Sequence, residues 1–313
     1  PNAQPPPLFF HLLAITLFIR DSITSMQILM VLIGILSIII FYILARKIFD
    51  EKFALFSMFL YSINPMHLIY SQHLRVYILL TLLFPLSLYF LYQYLIERNF
   101  RSLIYLTIVY AISLYSHYHT IWYIFGGSVT VFIFYFLKKN VKLLHYFFLI
   151  FILTILFIPG VLLFIQKFVE YGIEGGYDIL PFINPSITPP YILWKYSVMI
   201  NISTILSGFP YLILLFPLIL GLVVYGAFLL YKENKAKFIF IISNLSVPYL
   251  MYTVAGFIFP GYSFGTFRFI TFLLPLYVML FSYGLFKIKN TILKLILLFI
   301  LIAGWALVIA FFY

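Results

Sequence analysis

Residues 25–45 read SMQILMVLIGILSIIIFYILA and are followed at once by Arg46 and Lys47. A helix needs about 20 consecutive apolar residues to cross the hydrocarbon of a bilayer, and this run supplies them. Comparable runs recur along the chain, whereas alternating ten-residue strands do not. Because every backbone N–H and C=O must be paired within lipid, such runs form helices. The sequence therefore predicts an all-α, polytopic membrane protein.

Composition supports the same class. Of the 313 residues, 65% are hydrophobic and only 9% are charged, and the mean hydropathy is +1.14. These values exclude a water-soluble fold built around one buried core. The absence of cysteine from these residues excludes disulfides and thiol chemistry among them.

We predict about ten transmembrane helices and one interfacial helix. The apolar stretch Leu8 to Ile19 is too short to span, so we expect it to lie on the outer surface. The predicted spans are 25–45, 53–70, 76–96, 102–120, 121–137, 143–165, 202–230, 238–258, 268–286 and 293–313.

The basic residues fix the predicted orientation. Fourteen of the 19 fall in loops on one side: Arg46, Lys47, Lys52, Arg98, Arg101, Lys138, Lys139, Lys142, Lys232, Lys235, Lys237, Lys287, Lys289 and Lys294. The other five are Arg20, Arg75, Lys167, Lys195 and Arg268. This asymmetry is typical of cytoplasmic loops, so the net charge of +11 reflects topology rather than a nucleic-acid partner.

We interpret residues 1–313 as one transmembrane domain. Residues 1–24 read as the end of a first outer loop, 25–165 as a helical module, 166–201 as an outer loop that forms a lid or acceptor platform, and 202–313 as a variable helical module. Because no initiator Met or signal pattern stands ahead of Pro1, we expect a first helix and most of the first outer loop to precede it.

Two arginines at predicted outer helix ends have no acidic neighbour in sequence. Arg75 follows His73 in the turn between the second and third spans, and Arg268 precedes the ninth span. One reading is that such an arginine snorkels to lipid headgroups. The other is an anion site, because a guanidinium offers planar donors that fit a phosphate and an imidazole adds another.

Histidines also gather at this end, at His117 and His119. Since residues two apart do not share a helix face, we expect one ring to face a cavity and the other the interface, and we predict no metal pair. We treat His67, His11 and His145 as structural histidines.

Five stretches resemble one family of membrane enzymes. Residues 4–13 (QPPPLFFHLL) resemble its HPPLYYLLLH segment, and 42–49 (YILARKIF) resemble Y-LARRLF. Residues 70–77 (YSQHLRVY) resemble YSQEARMY, 114–118 (LYSHY) resemble LYTHY, and 267–275 (FRFITFLLP) resemble RYLLPALP. The family is the polyprenyl-phosphate-sugar-dependent glycosyltransferases of the membrane C-type fold, which includes protein O-mannosyltransferases and the lipid A aminoarabinose transferase.

The resemblance implies a reaction on the extracytoplasmic face of the cell membrane. A sugar would pass, with inversion, from a polyprenyl phosphate such as dolichyl or undecaprenyl phosphate to a protein, lipid or glycan acceptor. It implies donor-phosphate contacts from Arg75, Arg268 and His73. Further residues would line the site: Gln72, Tyr77, His117, His119 and Tyr262. No cofactor is required by the pattern, and a divalent metal remains open.

Two departures from the family pattern affect the chemistry. His73 stands where the family has glutamate. In the family, the catalytic Asp lies upstream of the HPPL segment, so none of these residues is predicted to be the general base. We expect Glu170, Glu174 and Asp178 to be solvated loop residues instead. Two alternatives stay open: a non-catalytic subunit of a membrane complex, and a lipid or solute transporter. The sequence argues against a transporter, because it shows no inverted repeat of the kind common in transporters.

Overall fold

The structure is a computed structural model that describes residues 7–19, 22–138, 141–174, 215–258 and 271–312. In these ranges the α-helices are α1 (Pro7–Ile19), α2 (Ile23–Ile48), α3 (Glu51–Ser62), α4 (Pro65–Gln72), α5 (Tyr77–Leu95), α6 (Ser102–Ser116), α7 (Ile121–Lys138), α8 (Leu143–Glu174), α9 (Phe216–Glu233), α10 (Lys235–Ile258), α11 (Leu274–Phe286) and α12 (Thr291–Phe312). A 3₁₀ turn, Tyr118–Thr120, joins α6 to α7.

The helices confirm a polytopic membrane protein. Seven of those described are long and apolar enough to cross a bilayer, and there are eight if the bent pair α3 and α4 is counted as one span. Two shorter apolar helices, α6 and α11, occupy the remaining predicted spans. The predicted short helix near the N-terminus is present as α1, which packs against α2 and α6. Its place at the membrane interface stays a prediction, as does the division into modules.

The predicted span 53–70 consists of two helices rather than one. It is broken between Ser62 and Pro65, where α3 and α4 meet at a bend of 58°. Proline has no N–H to continue the ladder and clashes with the preceding turn. The Asn64 side chain caps the new helix instead, because its Oδ1 accepts a hydrogen bond from the Met66 N–H at 2.9 Å.

Two further predicted spans are shorter than expected. The span 102–120 ends as an α-helix at Ser116, because His117 adopts an extended backbone and starts the 3₁₀ turn. The α-helix of the span 268–286 begins at Leu274, after a 3₁₀ turn at 271–273. Of the span 202–230, the structure describes residues from 215 onward.

Close packing positions the helices around α5 and α11, whose side chains are mostly buried. A Cβ on Gly226 would lie 2.1 Å from the Leu280 carbonyl oxygen, and one on Gly284 would lie 2.3 Å from that of Leu222. Helices α9 and α11 therefore meet backbone to backbone, as small residues allow in membranes. Helix α2 packs along α5 and α3, and α7 packs along α10.

Apolar side chains cover much of the outer surface. On α2 the exposed positions include Ile28, Leu32, Ile35 and Ile39. Such a surface is unfavourable in water, since large contiguous apolar patches are rare on soluble proteins. It is the surface expected of helices in contact with lipid chains.

Candidate functional site at the end opposite the basic loops

The five basic loops lie together at one end of the bundle, here named the basic end. Ion pairs connect them: Lys47 Nζ lies 2.7 Å from Glu97 Oε1, and Lys287 Nζ lies 2.9 Å from Glu233 Oε1. The Lys237 ammonium stands 5.7 Å from the centre of the Phe49 ring. The grouping of loops that the charge count predicted is therefore seen in the described residues.

The candidate site lies at the other end, here named the site end, and begins with the turn between α4 and α5. Helix α4 stops at Gln72 because His73 takes an extended backbone. The Arg75 N–H then donates to the His73 carbonyl at 2.7 Å, which folds the turn tightly before α5 begins at Tyr77. The side chains of Gln72, His73 and Arg75 are exposed, whereas Tyr77 is buried.

No described carboxylate stands near Arg75. The four acidic side chains that the structure describes all lie at the basic end: Asp50, Glu51, Glu97 and Glu233. Among the described residues no salt bridge involves Arg75. The guanidinium is therefore an exposed positive charge without an acidic neighbour in this part of the chain.

The turn between α6 and α7 brings His117 and His119 together. The His119 N–H donates to Nδ1 of His117 at 3.1 Å, and the Trp122 indole N–H donates to Nδ1 of His119 at 3.1 Å. Both Nδ1 atoms are therefore unprotonated acceptors. Burial lowers the pKa of His119 to about 4, so this ring is neutral near pH 7.

The helical spacing from which we expected these two histidines to face different environments does not apply, because they lie in a turn rather than on one helix. Which environment each ring faces stays a prediction. Their rings stack, with centroids 4.9 Å apart and planes 29° apart.

A continuous row of rings joins the two turns. Successive centroids are separated by 6.4 Å from His73 to Tyr70, 5.3 Å to Tyr77, 6.0 Å to His117, 4.9 Å to His119 and 6.2 Å to Tyr252 on α10. We name this set the ring row. It unites four of the residues that the sequence predicted for the site: His73, Tyr77, His117 and His119.

Sequence reasoning missed three residues here. Tyr70 stood inside the YSQHLRVY stretch and could have been chosen from it. Trp122 and Tyr252 carried no local signal, because their roles depend on how α7 and α10 pack beside the turn. The predicted site residues Arg268 and Tyr262 lie outside the described residues, so their roles stay predictions.

The remaining histidines have different surroundings. His67 is buried and bonded through Nε2 to Ser37 Oγ at 2.8 Å, as a structural histidine would be, although its Nδ1 has no partner among the described residues. His145 packs its ring 5.5 Å from that of Phe100 at the basic end, and His11 lies exposed on α1. Within the described ranges no three His, Asp or Glu side chains are grouped closely enough to hold a metal ion.

A family profile covers the half of the chain that holds both turns. The profile described as dolichyl-phosphate-mannose-protein mannosyltransferase matches residues 4–162 of the 313. The chain belongs to the dolichyl-phosphate-mannose-protein mannosyltransferase family. The region that matches the profile includes His73, Arg75, His117 and His119, whereas Arg268 lies outside it.

The fold of this mannosyltransferase family member is similar to that of a solved oligosaccharyltransferase from Archaeoglobus fulgidus, crystallised with Zn and sulfate. The TM-score is 0.60 and the sequence identity 14%, over 97% of this chain and 44% of that one. At that identity the likeness shows the fold alone, and it confirms the C-type membrane fold that the motifs predicted. The chain spans less than half the length of this relative. No curated protein matches the sequence.

Proposed function

We propose that the chain is part of a membrane glycosyltransferase that moves a sugar from a polyprenyl phosphate to an acceptor hydroxyl, with inversion, at the extracytoplasmic face. Family membership supports a lipid-linked sugar donor. The observation that carries the assignment to the site end is Arg75, an exposed guanidinium with no described carboxylate beside it.

Arg75 would bind the donor phosphate. A guanidinium presents parallel N–H donors that match two phosphate oxygens, and its charge offsets the charge that develops as the lipid phosphate departs. His73 precedes it by two residues in the same tight turn, and its imidazole would add a further donor. Arg268 would complete the phosphate contacts.

The ring row would line the space beside that phosphate. Tyr77 and His117 are buried and would form the wall behind this space, whereas the partly exposed His119 would offer its ring to a sugar or a prenyl group. Gln72, exposed beside the turn, and Tyr262 are assigned to the same lining. His119 is neutral near pH 7 and would add no positive charge to this lining.

The general base is not assigned to any described residue. All four described acidic side chains lie at the basic end, too far from Arg75 to deprotonate an acceptor there. The base would come from the outer-loop Asp that the family pattern places ahead of residue 4. A divalent metal stays open, and none of the residues above is assigned to one.

The proposal is tested in membranes that contain the full-length protein. Transfer from a radiolabelled polyprenyl-phosphate sugar is measured for wild type, Arg75→Ala and Arg75→Lys, with thermal stability as a check on folding. Arg101→Ala is the matched control, since Arg101 is exposed at the basic end and its side chain caps nothing. We expect Arg75→Ala to lose about 100-fold in transfer, equivalent to about 2.7 kcal/mol.

The outcomes separate the alternatives. Loss of transfer in Arg75→Ala but not in Arg101→Ala, with both folded, supports the phosphate site. Equal activity of all variants reduces Arg75 to a lipid-headgroup anchor. No transfer by wild type, with donor still bound, favours a non-catalytic subunit. Passage of the intact donor or of a solute across the bilayer favours a transporter.

A further inference from the structure

Helix α9 carries an apolar ridge on its exposed side that ends at a lysine. Leu220, Val224 and Phe228 are exposed and lie four residues apart, and we name these three the α9 ridge. Lys232 follows at the same interval. Side chains four apart form one oblique ridge along a helix. Buried residues such as Leu222 lie on the side of α9 that packs on α11, so the ridge faces away from the bundle.

The Lys232 ammonium lies over the last residue of the ridge. Its Nζ is 4.3 Å from the centre of the Phe228 ring. Side chains on a helix lean toward its N-terminus, so that of Lys232 turns back over the preceding turn. Phe228 is half exposed. The charge therefore stands where the apolar surface of α9 ends, which in a bilayer is the level of the lipid headgroups.

A second ammonium lies over the neighbouring ring. Lys235 Nζ is 5.4 Å from the centre of the Tyr231 ring, which packs in turn on Phe238 of α10 at 5.2 Å. Tyr231 and Phe228 are three residues apart on one helix, so their exposed side chains are neighbours. The turn between α9 and α10 thus places two positive charges over adjacent rings.

The carboxylates at the basic end are bonded elsewhere. Glu233 lies between the two lysines in sequence, but it accepts hydrogen bonds from the Tyr283 hydroxyl and the Lys287 ammonium, so its carboxylate faces α11. The other three described carboxylates have partners on different loops. In the part of the chain that the structure describes, no salt bridge includes Lys232 or Lys235.

We propose that this surface binds an anionic phospholipid. The phosphate contacts the Lys232 and Lys235 ammoniums, and one acyl chain follows the ridge past Phe228 and Val224. Gly221 leaves room beside that path, since a Cβ built there would meet nothing within 4 Å. The positive charge selects an anionic headgroup, because each lysine near a membrane surface raises the affinity for anionic lipid about fivefold. The inference does not depend on the proposed reaction.

The test counts the lipids that the full-length protein retains. Purified protein is exchanged into micelles containing equal amounts of phosphatidylglycerol and phosphatidylcholine and is analysed by native mass spectrometry. The variant is Lys232→Gln/Lys235→Gln. The matched control, Lys52→Gln/Lys289→Gln, removes two exposed lysines at the same end that contact no described ring or carboxylate. Thermal unfolding checks that both variants are folded.

We expect retention of phosphatidylglycerol to fall at least about tenfold in Lys232→Gln/Lys235→Gln and to stay within about twofold of wild type in the control. Equal retention by wild type and this variant overturns the proposal, as does equal retention of the two lipids by wild type. The same loss in the control also overturns it, because the attraction would then come from the general charge of the basic end.

A crosslinking experiment tests the position of the lipid. Phosphatidylglycerol with a photoreactive acyl chain is added to phosphatidylcholine nanodiscs that contain the full-length protein, and the crosslinked residues are mapped. The reference is the exposed apolar face of α12, which includes Ile292 and Phe299. We expect crosslinks to be enriched at 220–228 over α12 in wild type, and this enrichment to disappear in Lys232→Gln/Lys235→Gln. Equal labelling of α9 and α12 in wild type overturns the proposal.

Discussion

In the part of the chain that the structure describes, the two ends of the bundle carry different polar side chains. At the basic end, cations are interleaved with all four described carboxylates, and ion pairs such as Lys47–Glu97 tie neighbouring loops together. At the site end, Arg75 has no described carboxylate near it and the adjacent turns present rings instead. The ion pairs at the basic end connect neighbouring loops, whereas for Arg75, which has no described carboxylate beside it, we propose a ligand as the partner.

The largest predicted effect comes from reversing a charge at the site end. Arg75→Glu should reduce transfer by more than about 1000-fold, because a carboxylate repels the donor phosphate as well as losing the bidentate bond. Arg101→Glu at the basic end should stay within about twofold of wild type. Transfer kinetics in nanodiscs measure both. If both variants lost transfer activity to a similar extent, the donor site could not be assigned to the site end.

The second prediction concerns the pH dependence of stability at the site end. His119 has a folded pKa of about 4 against an ordinary value near 6.5, so the unfolded chain takes up a proton first as the pH falls. The contribution of His119 to the free energy of unfolding is therefore constant above pH 6.5. It decreases by roughly 3 kcal/mol as the pH falls from 6.5 to 4. Tm measured across this range should fall less steeply in His119→Gln, which retains an acceptor for Trp122. Parallel slopes would show that His119 is not held neutral.

The third prediction addresses the basic end. Glu233 accepts hydrogen bonds from the Tyr283 hydroxyl and the Lys287 ammonium, which joins the end of α9 to the end of α11. Glu233→Gln should reduce the free energy of unfolding by about 1 kcal/mol, because one set of hydrogen bonds between the two helices is weakened. The KM for the donor should stay unchanged, because the proposed donor site is at the other end of the bundle. Chemical or thermal unfolding and donor titration test this. A raised KM without a stability loss would place ligand chemistry at the basic end.

The smallest effect is expected at the Lys47–Glu97 pair. Both side chains are partly exposed, so Glu97→Gln should cost about 0.5 kcal/mol, and added salt should abolish the difference from wild type. Glu51→Gln is the control, since its contact with Arg46 is 3.8 Å long and more exposed. A loss that persists in high salt would indicate a role for Glu97 other than ion pairing.

The fold was largely predictable because spanning length is set by the bilayer, and apolar runs such as 25–45 record it directly. The breaks were harder. Asn64-Pro65 lay inside an apolar run, where hydropathy continues while the backbone bends by 58°. Helix α6 ends early because His117 has an extended backbone, and the pattern of apolar residues does not predict that conformation.

The site was predictable only in part. Position along the chain placed His73, Arg75, Tyr77 and the two later histidines at one end of the bundle, and the structure brings most of them into contact. Sequence spacing did not predict that His117 and His119 stack, because it assumed a helix where a turn exists. The contribution of Tyr252 arises from packing between distant helices.

The central claim is that the site end faces the outside and the basic end the cytoplasm. The 313 residues contain no cysteine, so single cysteines can be introduced at Gln72 and at Lys52, exposed positions at the two ends. Intact cells are treated with a membrane-impermeant maleimide before and after permeabilisation. We predict that Gln72→Cys is labelled in intact cells and Lys52→Cys only after permeabilisation. Labelling of Lys52→Cys from outside, with Gln72→Cys protected, would contradict the account.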